Sequence, residues 1–115
     1  MNFEERPWGN YTVLHSEAIC QVKKLVVHPG KRLSLQSHKF RAEHWFIVSG
    51  TGIAQIQEHD EIVMPGSSID IEVNSKHRIT CTSTLPLVLI EVQTGSSFDE
   101  KDIQRFEDDY GRNET

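Results

Sequence analysis

Cysteine is scarce in this chain of 115 residues: Cys20 and Cys81 stand far apart, with no Cys-x-x-Cys pair and no cysteine-rich framework. Two reduced thiols in a cytosolic protein are expected, rather than a disulfide scaffold. No apolar run approaches the length of a membrane span, and the polar, acidic start from Met1 to Glu5 is not a secretory leader. Basic residues are outnumbered, 12 Lys and Arg against 17 Asp and Glu, for a formal net charge of −5. That balance excludes an electrostatic grip on nucleic acid or on anionic membranes. A small anionic ligand is still compatible, because a few cations can reverse the field inside one pocket. There is no internal repeat, low-complexity tract or linker, and a chain this short fits one domain over residues 1–115.

Helical periodicity is also missing from almost the whole chain. Short apolar segments alternate instead with turn signals. Strands are read at Asn10–Leu14, Ile19–Val27, Leu33–His38, Glu43–Val48, Ile53–Gln57, Glu61–Met64, Ser68–Ile71, His77–Thr82 and Leu87–Gln93. Turns fall at Pro7-Trp8-Gly9, Pro29-Gly30, Ser49 to Gly52, His59-Asp60, Pro65-Gly66 and Asn74-Ser75. About nine short strands at this spacing predict an all-β sandwich or barrel. Asp99–Phe106 has an acidic first turn, with Ile103 and Phe106 three apart, and is read as a short C-terminal helix. Gly111 to Thr115 is expected to fray.

The chemistry sits on two of these strands and on the start of a third. Side chains alternate across a strand, so Gln36 and His38 share a face. Four residues then allow the chain to turn back to Glu43, and His77 opens a later strand after a turn. An antiparallel barrel can bring the three strand ends together. Gln36, His38, Glu43 and His77 then form a nitrogen and oxygen ligand set for a divalent ion. Zn²⁺ is the first choice, and Mn²⁺, Co²⁺, Ni²⁺ or Fe²⁺ also suits such donors. The plainer alternative is a pair of hydrogen-bonded barrel histidines. His44 alternates away from Glu43, with Phe46 and Val48 on the same outer face; apolar residues there call for a second sheet or a partner subunit. Trp8 and Trp45 are read as core or rim packing. Cys81 is an inert inward residue, and His15, His28 and His59 are exposed near turns. The run Glu107-Asp108-Asp109 reads as a solvated acidic face, with Arg105 and Arg112 beside it available for pairing.

Gly30-x5-Gln36-x-His38-x4-Glu43-x6-Gly50 resembles the first cupin motif, with Gln36 where many cupins have His, and Gly66-x10-His77 resembles the second. Glu72, Asn74 and Cys81 stand where that second motif usually has Pro, Gly and Asn. Asn tolerates the left-handed backbone, so the turn at Asn74 can survive. A closer resemblance runs along nearly the whole chain. Arg6 to Gly9, Pro29 to Gln36, Arg41 to Trp45, Val48 to Thr51, Ile90 to Gly95 and Arg105 to Arg112 are similar to the type II mannose-6-phosphate isomerase domain, usually the C-terminal part of a bifunctional enzyme with mannose-1-phosphate guanylyltransferase. Gln36 to Phe40 departs from the His-richer stretch of many relatives. No Gly-rich nucleotide loop precedes the barrel, so no guanylyltransferase activity is expected.

The resemblance implies a cupin (double-stranded β-helix, jelly-roll) barrel and a homodimer, with a sugar phosphate as the small-molecule partner. It also implies interconversion of mannose 6-phosphate and fructose 6-phosphate, a proton passing between C1 and C2 through a cis-enediol. Glu43 is a candidate for the catalytic base as well as for a metal ligand, and the two roles compete. Arg41 and Arg105 are candidates for the phosphate, because Arg binds such groups bidentately. Ser34 shares the face of Gln36 and is placed against substrate. The fold also admits another sugar isomerase, an epimerase, an oxygenase, or a metal- and sugar-binding module without turnover.

Overall fold

The computed structural model describes residues 2–111, and the expected fraying falls mostly on residues 112–115, outside them. Arg112 lies there too. The described chain forms eleven strands in two antiparallel sheets that close into the expected jelly-roll barrel. One sheet has the order β1 (Asn2–Arg6), β2 (Gly9–Ser16), β3 (Cys20–Val27), β10 (Leu87–Gly95), β5 (Arg41–Ser49), β8 (Ser68–Ile71). The other runs β11 (Ile103–Glu107), β4 (Leu35–His38), β9 (His77–Cys81), β6 (Gly52–Ile56), β7 (His59–Val63). Among the described residues no helix is long and apolar enough to cross a membrane.

Two differences from the sequence reading concern the chain ends. Asn2–Arg6 is a strand, although its polar and acidic residues carry no apolar alternation; it is held by its register against β2, Asn2 opposite Val13 through Arg6 opposite Gly9. The expected C-terminal helix is absent: one 3₁₀ turn at Glu100–Asp102 leads directly into β11. β11 covers β4, with Ile103 opposite His38 and Arg105 opposite Gln36. Without it β4 would be an open edge with unpaired backbone groups, and satisfying that ladder outweighs a weak local helical signal.

Alternation along the two central strands divides the barrel interior. On β5 the inward residues run Arg41, Glu43, Trp45, Ile47; on antiparallel β10 they run Leu87, Leu89, Glu91, Gln93, with Leu89 opposite Ile47, Glu91 opposite Trp45 and Gln93 opposite Glu43. One end of the barrel is therefore apolar. There Ile47, Leu87 and Leu89 pack fully buried with Val27, Val63, Ile79 and Cys81. The other end is polar and lines a cavity. Cys81 lies in the apolar core, and both cysteines are free thiols. His15, His28 and His59 are exposed.

Candidate metal centre

β4, β5 and β9 deliver His38, Glu43 and His77 to the polar end, all three buried. One ligand atom from each lies within 4.8 Å of the others. Glu43 Oε2 is 2.9 Å from His38 Nε2, and Glu43 Oε1 is 3.5 Å from His77 Nε2. The imidazole rings are 5.1 Å apart and tilted by 56°. His77 Nδ1 donates to the Ser75 carbonyl at 2.8 Å, which leaves the Nε2 lone pair free toward Glu43. The turn before β9 is anchored by the Asn74 N–H, which donates to the His38 carbonyl at 2.7 Å. Asn74 takes the left-handed backbone (φ 64°) that its place in the motif demands.

His38 decides how these residues are used. Both of its ring nitrogens are buried without a hydrogen-bond partner. Nε2 lies at contact distance from Glu43 but off the line of an N–H bond. Leaving such a group unsatisfied costs about 1–3 kcal/mol, and a histidine kept for structure would be bonded. Donors that crowd a common point without bonding one another fit a divalent ion. Gln36 lines the same cavity, and its Nε2 donates to Ser34 Oγ at 2.9 Å, so Oε1 is the atom not used in that bond.

Ser34, Arg41 and Arg105 also line this cavity, so the candidate metal and substrate residues of the sequence lie around one cavity. The space between these side chains, open solvent included, is about 620 Å³. Arg41 is buried, with Nη1 donating to the Asp99 carbonyl at 3.1 Å and Nε 4.0 Å from Glu43 Oε2. His44 faces outward and pairs with Asp70. Glu107 and Asp109 are more than a solvated acidic face: Glu107 Oε1 accepts from Arg78 Nη1 at 3.0 Å, and both Asp109 oxygens accept from Arg32.

Sequence reasoning missed Lys23, Arg78, Glu91 and Gln93, all cavity-lining. The available signal was a charged or polar residue at an inward position of an apolar strand: Lys23 before Leu25 and Val27, Glu91 after Leu87 and Leu89. Trp45 links the carboxylates, its Nε1 donating to Glu43 Oε1 at 3.0 Å and to Glu91 Oε2 at 3.1 Å, while Gln93 Nε2 donates to Glu91 Oε1 at 2.7 Å. Burial alone would raise the Glu43 carboxyl, but His77 and His38 outweigh it and hold it below the ordinary carboxylate range. Glu91 goes the other way. Burial, and then the Glu43 charge, push it up to about 8. His77 is lowered, by burial against the opposing pull of Glu43.

The Glu91 shift gives a stability prediction for the metal-free protein. Between the ordinary carboxyl value of 4.5 and about 8, the folded chain keeps the Glu91 proton and the unfolded chain has lost it. The raised group is therefore most favourable below 4.5, and its contribution declines as pH rises to about 8. Glu91→Gln is expected to gain stability over wild type at pH 8 compared with pH 5. Equal urea midpoint shifts at the two pH values would contradict this.

Residues 3–108 match the family described as mannose-6-phosphate isomerase, C-terminal. The chain belongs to that family. It is 46% identical over 110 residues to the alginate biosynthesis protein AlgA of Pseudomonas putida, covering 96% of this chain and 23% of that protein. The chain thus spans about a quarter of the length of that relative. Among solved structures it is similar to the capsular polysaccharide assembling protein CapF of Staphylococcus aureus, with a TM-score of 0.81 at 20% identity, covering 92% of this chain and 34% of that one. A double-stranded β-helix protein from Klebsiella pneumoniae aligns with a TM-score of 0.71 at 15% identity, over 76% of this chain and 77% of that one. At such identities the two structures establish the fold alone. For this mannose-6-phosphate isomerase C-terminal domain they agree with the cupin barrel.

Proposed function

We propose that this domain interconverts mannose 6-phosphate and fructose 6-phosphate at the His38–Glu43–His77 centre. The observation that carries the reading is the convergence of three buried ligand-type side chains with arginines in one open cavity of a chain of this family. His38, Glu43, His77 and Gln36 would hold a divalent ion, with Zn²⁺ first and Mn²⁺, Co²⁺, Ni²⁺ or Fe²⁺ as alternatives. When bound, such an ion supplies polarisation of the sugar carbonyl and of the enediol oxygens. Glu43 is assigned to ligation rather than to base catalysis, because both of its oxygens are engaged, one facing His38 and the other accepting from Trp45. Arg41, next to the centre, and Arg105, on the strand covering Gln36, would orient the substrate's oxygens, and Ser34 Oγ would touch the sugar. The test is turnover of mannose 6-phosphate by this chain, metal-stripped and then reloaded with one ion at a time. Metal and sugar binding without turnover would mark a binding module instead.

We also propose a homodimer formed through the outer face of the six-stranded sheet. Phe46 and Val48 are exposed there, at 44% and 48%. Cross-strand partners share a face, so Ile90 opposite Phe46, and Val92 and Val22 in the row of His44, extend the patch. Among the described residues no second layer covers it. Phe46→Asp is expected to leave a folded monomer by light scattering; a dimer unaffected by the substitution would place the contact elsewhere.

A further inference from the structure

The motif Arg6-Pro7-Trp8-Gly9 has no part in the metal centre, yet Arg6 lines the same cavity. Its Nη2 donates to Glu100 Oε1 at 2.8 Å and to Tyr11 Oη at 3.2 Å, and Tyr11 Oη donates to the same Glu100 oxygen at 3.3 Å. The Lys23 ammonium lies 4.2 Å from the Tyr11 ring centre. A carboxylate oxygen is therefore received by a guanidinium and a phenol, with an ammonium alongside. Burial would raise Glu100, but Arg6, Tyr11 and Lys23 outweigh it and hold it below the ordinary carboxylate value. The carboxylate comes from the 3₁₀ turn at Glu100–Asp102, which crosses to the cavity from β10, and its side chain is more than half exposed.

We infer that Arg6, Tyr11 and Lys23 form the subsite for the phosphate of a sugar phosphomonoester, and that Glu100 is an internal anion which the phosphate displaces. The inference rests on the sugar-phosphate reading of the site. Glu100 meets Arg6 with one oxygen at a solvated position, which is a weak and exchangeable pair. A phosphate offers more charge and three oxygens, enough to take the Arg6 fork, the Tyr11 hydroxyl and the Lys23 ammonium together. Specificity for phosphorylated over free sugar follows, because a neutral hydroxyl gains nothing by displacing a carboxylate. Access of phosphates is regulated by the same contact, since each must compete with Glu100.

The test is calorimetric binding of inorganic phosphate, mannose 6-phosphate and mannose to wild type, Glu100→Gln and Arg6→Gln. Glu100→Gln removes one competing charge and is expected to tighten both phosphates by about fivefold while leaving mannose unchanged. Arg6→Gln is expected to weaken both phosphates by about tenfold or more. The gain in Glu100→Gln cannot come from damage to the fold. Unchanged or weaker phosphate binding in Glu100→Gln overturns the inference, as does an equal change for mannose. Tightened phosphate binding in a protein that never isomerises the sugar keeps the subsite and removes the isomerase reading. Turnover with no response to Glu100→Gln does the reverse.

Discussion

His38→Leu is expected to lower divalent-metal affinity by about a hundredfold or more, while the metal-free protein keeps its stability to within about 1 kcal/mol. The two effects separate because of where the His38 nitrogens sit. Both are buried, and neither makes a hydrogen bond within the protein. Leucine keeps most of the bulk and removes two nitrogens without a hydrogen bond; the fold loses the 2.9 Å contact with Glu43, whose carboxylate still accepts from Trp45. A structural histidine would behave oppositely, leaving a widowed partner and a cost of about 1–3 kcal/mol. His77→Leu should cost more in the metal-free protein, because it abandons the Ser75 carbonyl. Gln36→Ala should be milder for metal, since a neutral amide oxygen is a weaker ligand than an imidazole. Titration of metal-stripped variants followed by urea unfolding checks all three. His38→Leu that binds metal like wild type would remove this residue from the centre.

Gly50→Ala is expected to destabilise the domain by about 3–5 kcal/mol, against about 1–2 kcal/mol for Gly30→Ala. Both glycines bracket the first cupin motif and both have left-handed backbones, φ 78° and 75°. At Gly30 an added Cβ would meet nothing within 4 Å, so only the conformational cost applies. At Gly50 it would lie 2.4 Å from the Pro86 carbonyl oxygen and 2.8 Å from Leu87 Cα, backbone atoms that cannot swing aside. Leu87 opens β10, which carries Glu91 and Gln93 to the cavity. Gly50 therefore sets how closely β10 starts against the end of β5. Equal losses at the two positions in thermal unfolding would show that crowding at Pro86 is relieved cheaply.

The barrel and the meeting of the site residues were legible because they depend on alternation and turns. Gln36, His38 and Ser34 share a face by parity, and the turns at Gly50 and Asn74 are dictated by residues that tolerate positive φ. What escaped depends on long-range pairing. Nothing local in Asn2–Arg6 reads as a strand, and Ile103 with Phe106 suits a helix until β4 offers an edge. Lys23 and Glu91 are ordinary charges in sequence; only the register that sets them opposite each other inside the barrel makes them part of the site. Arg6 and Glu100 are 94 residues apart, and no pattern in the chain announces their contact.

The most direct test of the central claim is proton exchange during turnover. Metal-stripped domain would be reloaded with a single divalent ion and given mannose 6-phosphate in D₂O, with His38→Leu alongside, and both sugar phosphates followed by NMR. Fructose 6-phosphate is expected only from the reloaded wild type, with solvent deuterium entering at the carbon that exchanges its proton. Stoichiometric metal with neither conversion nor exchange would contradict it.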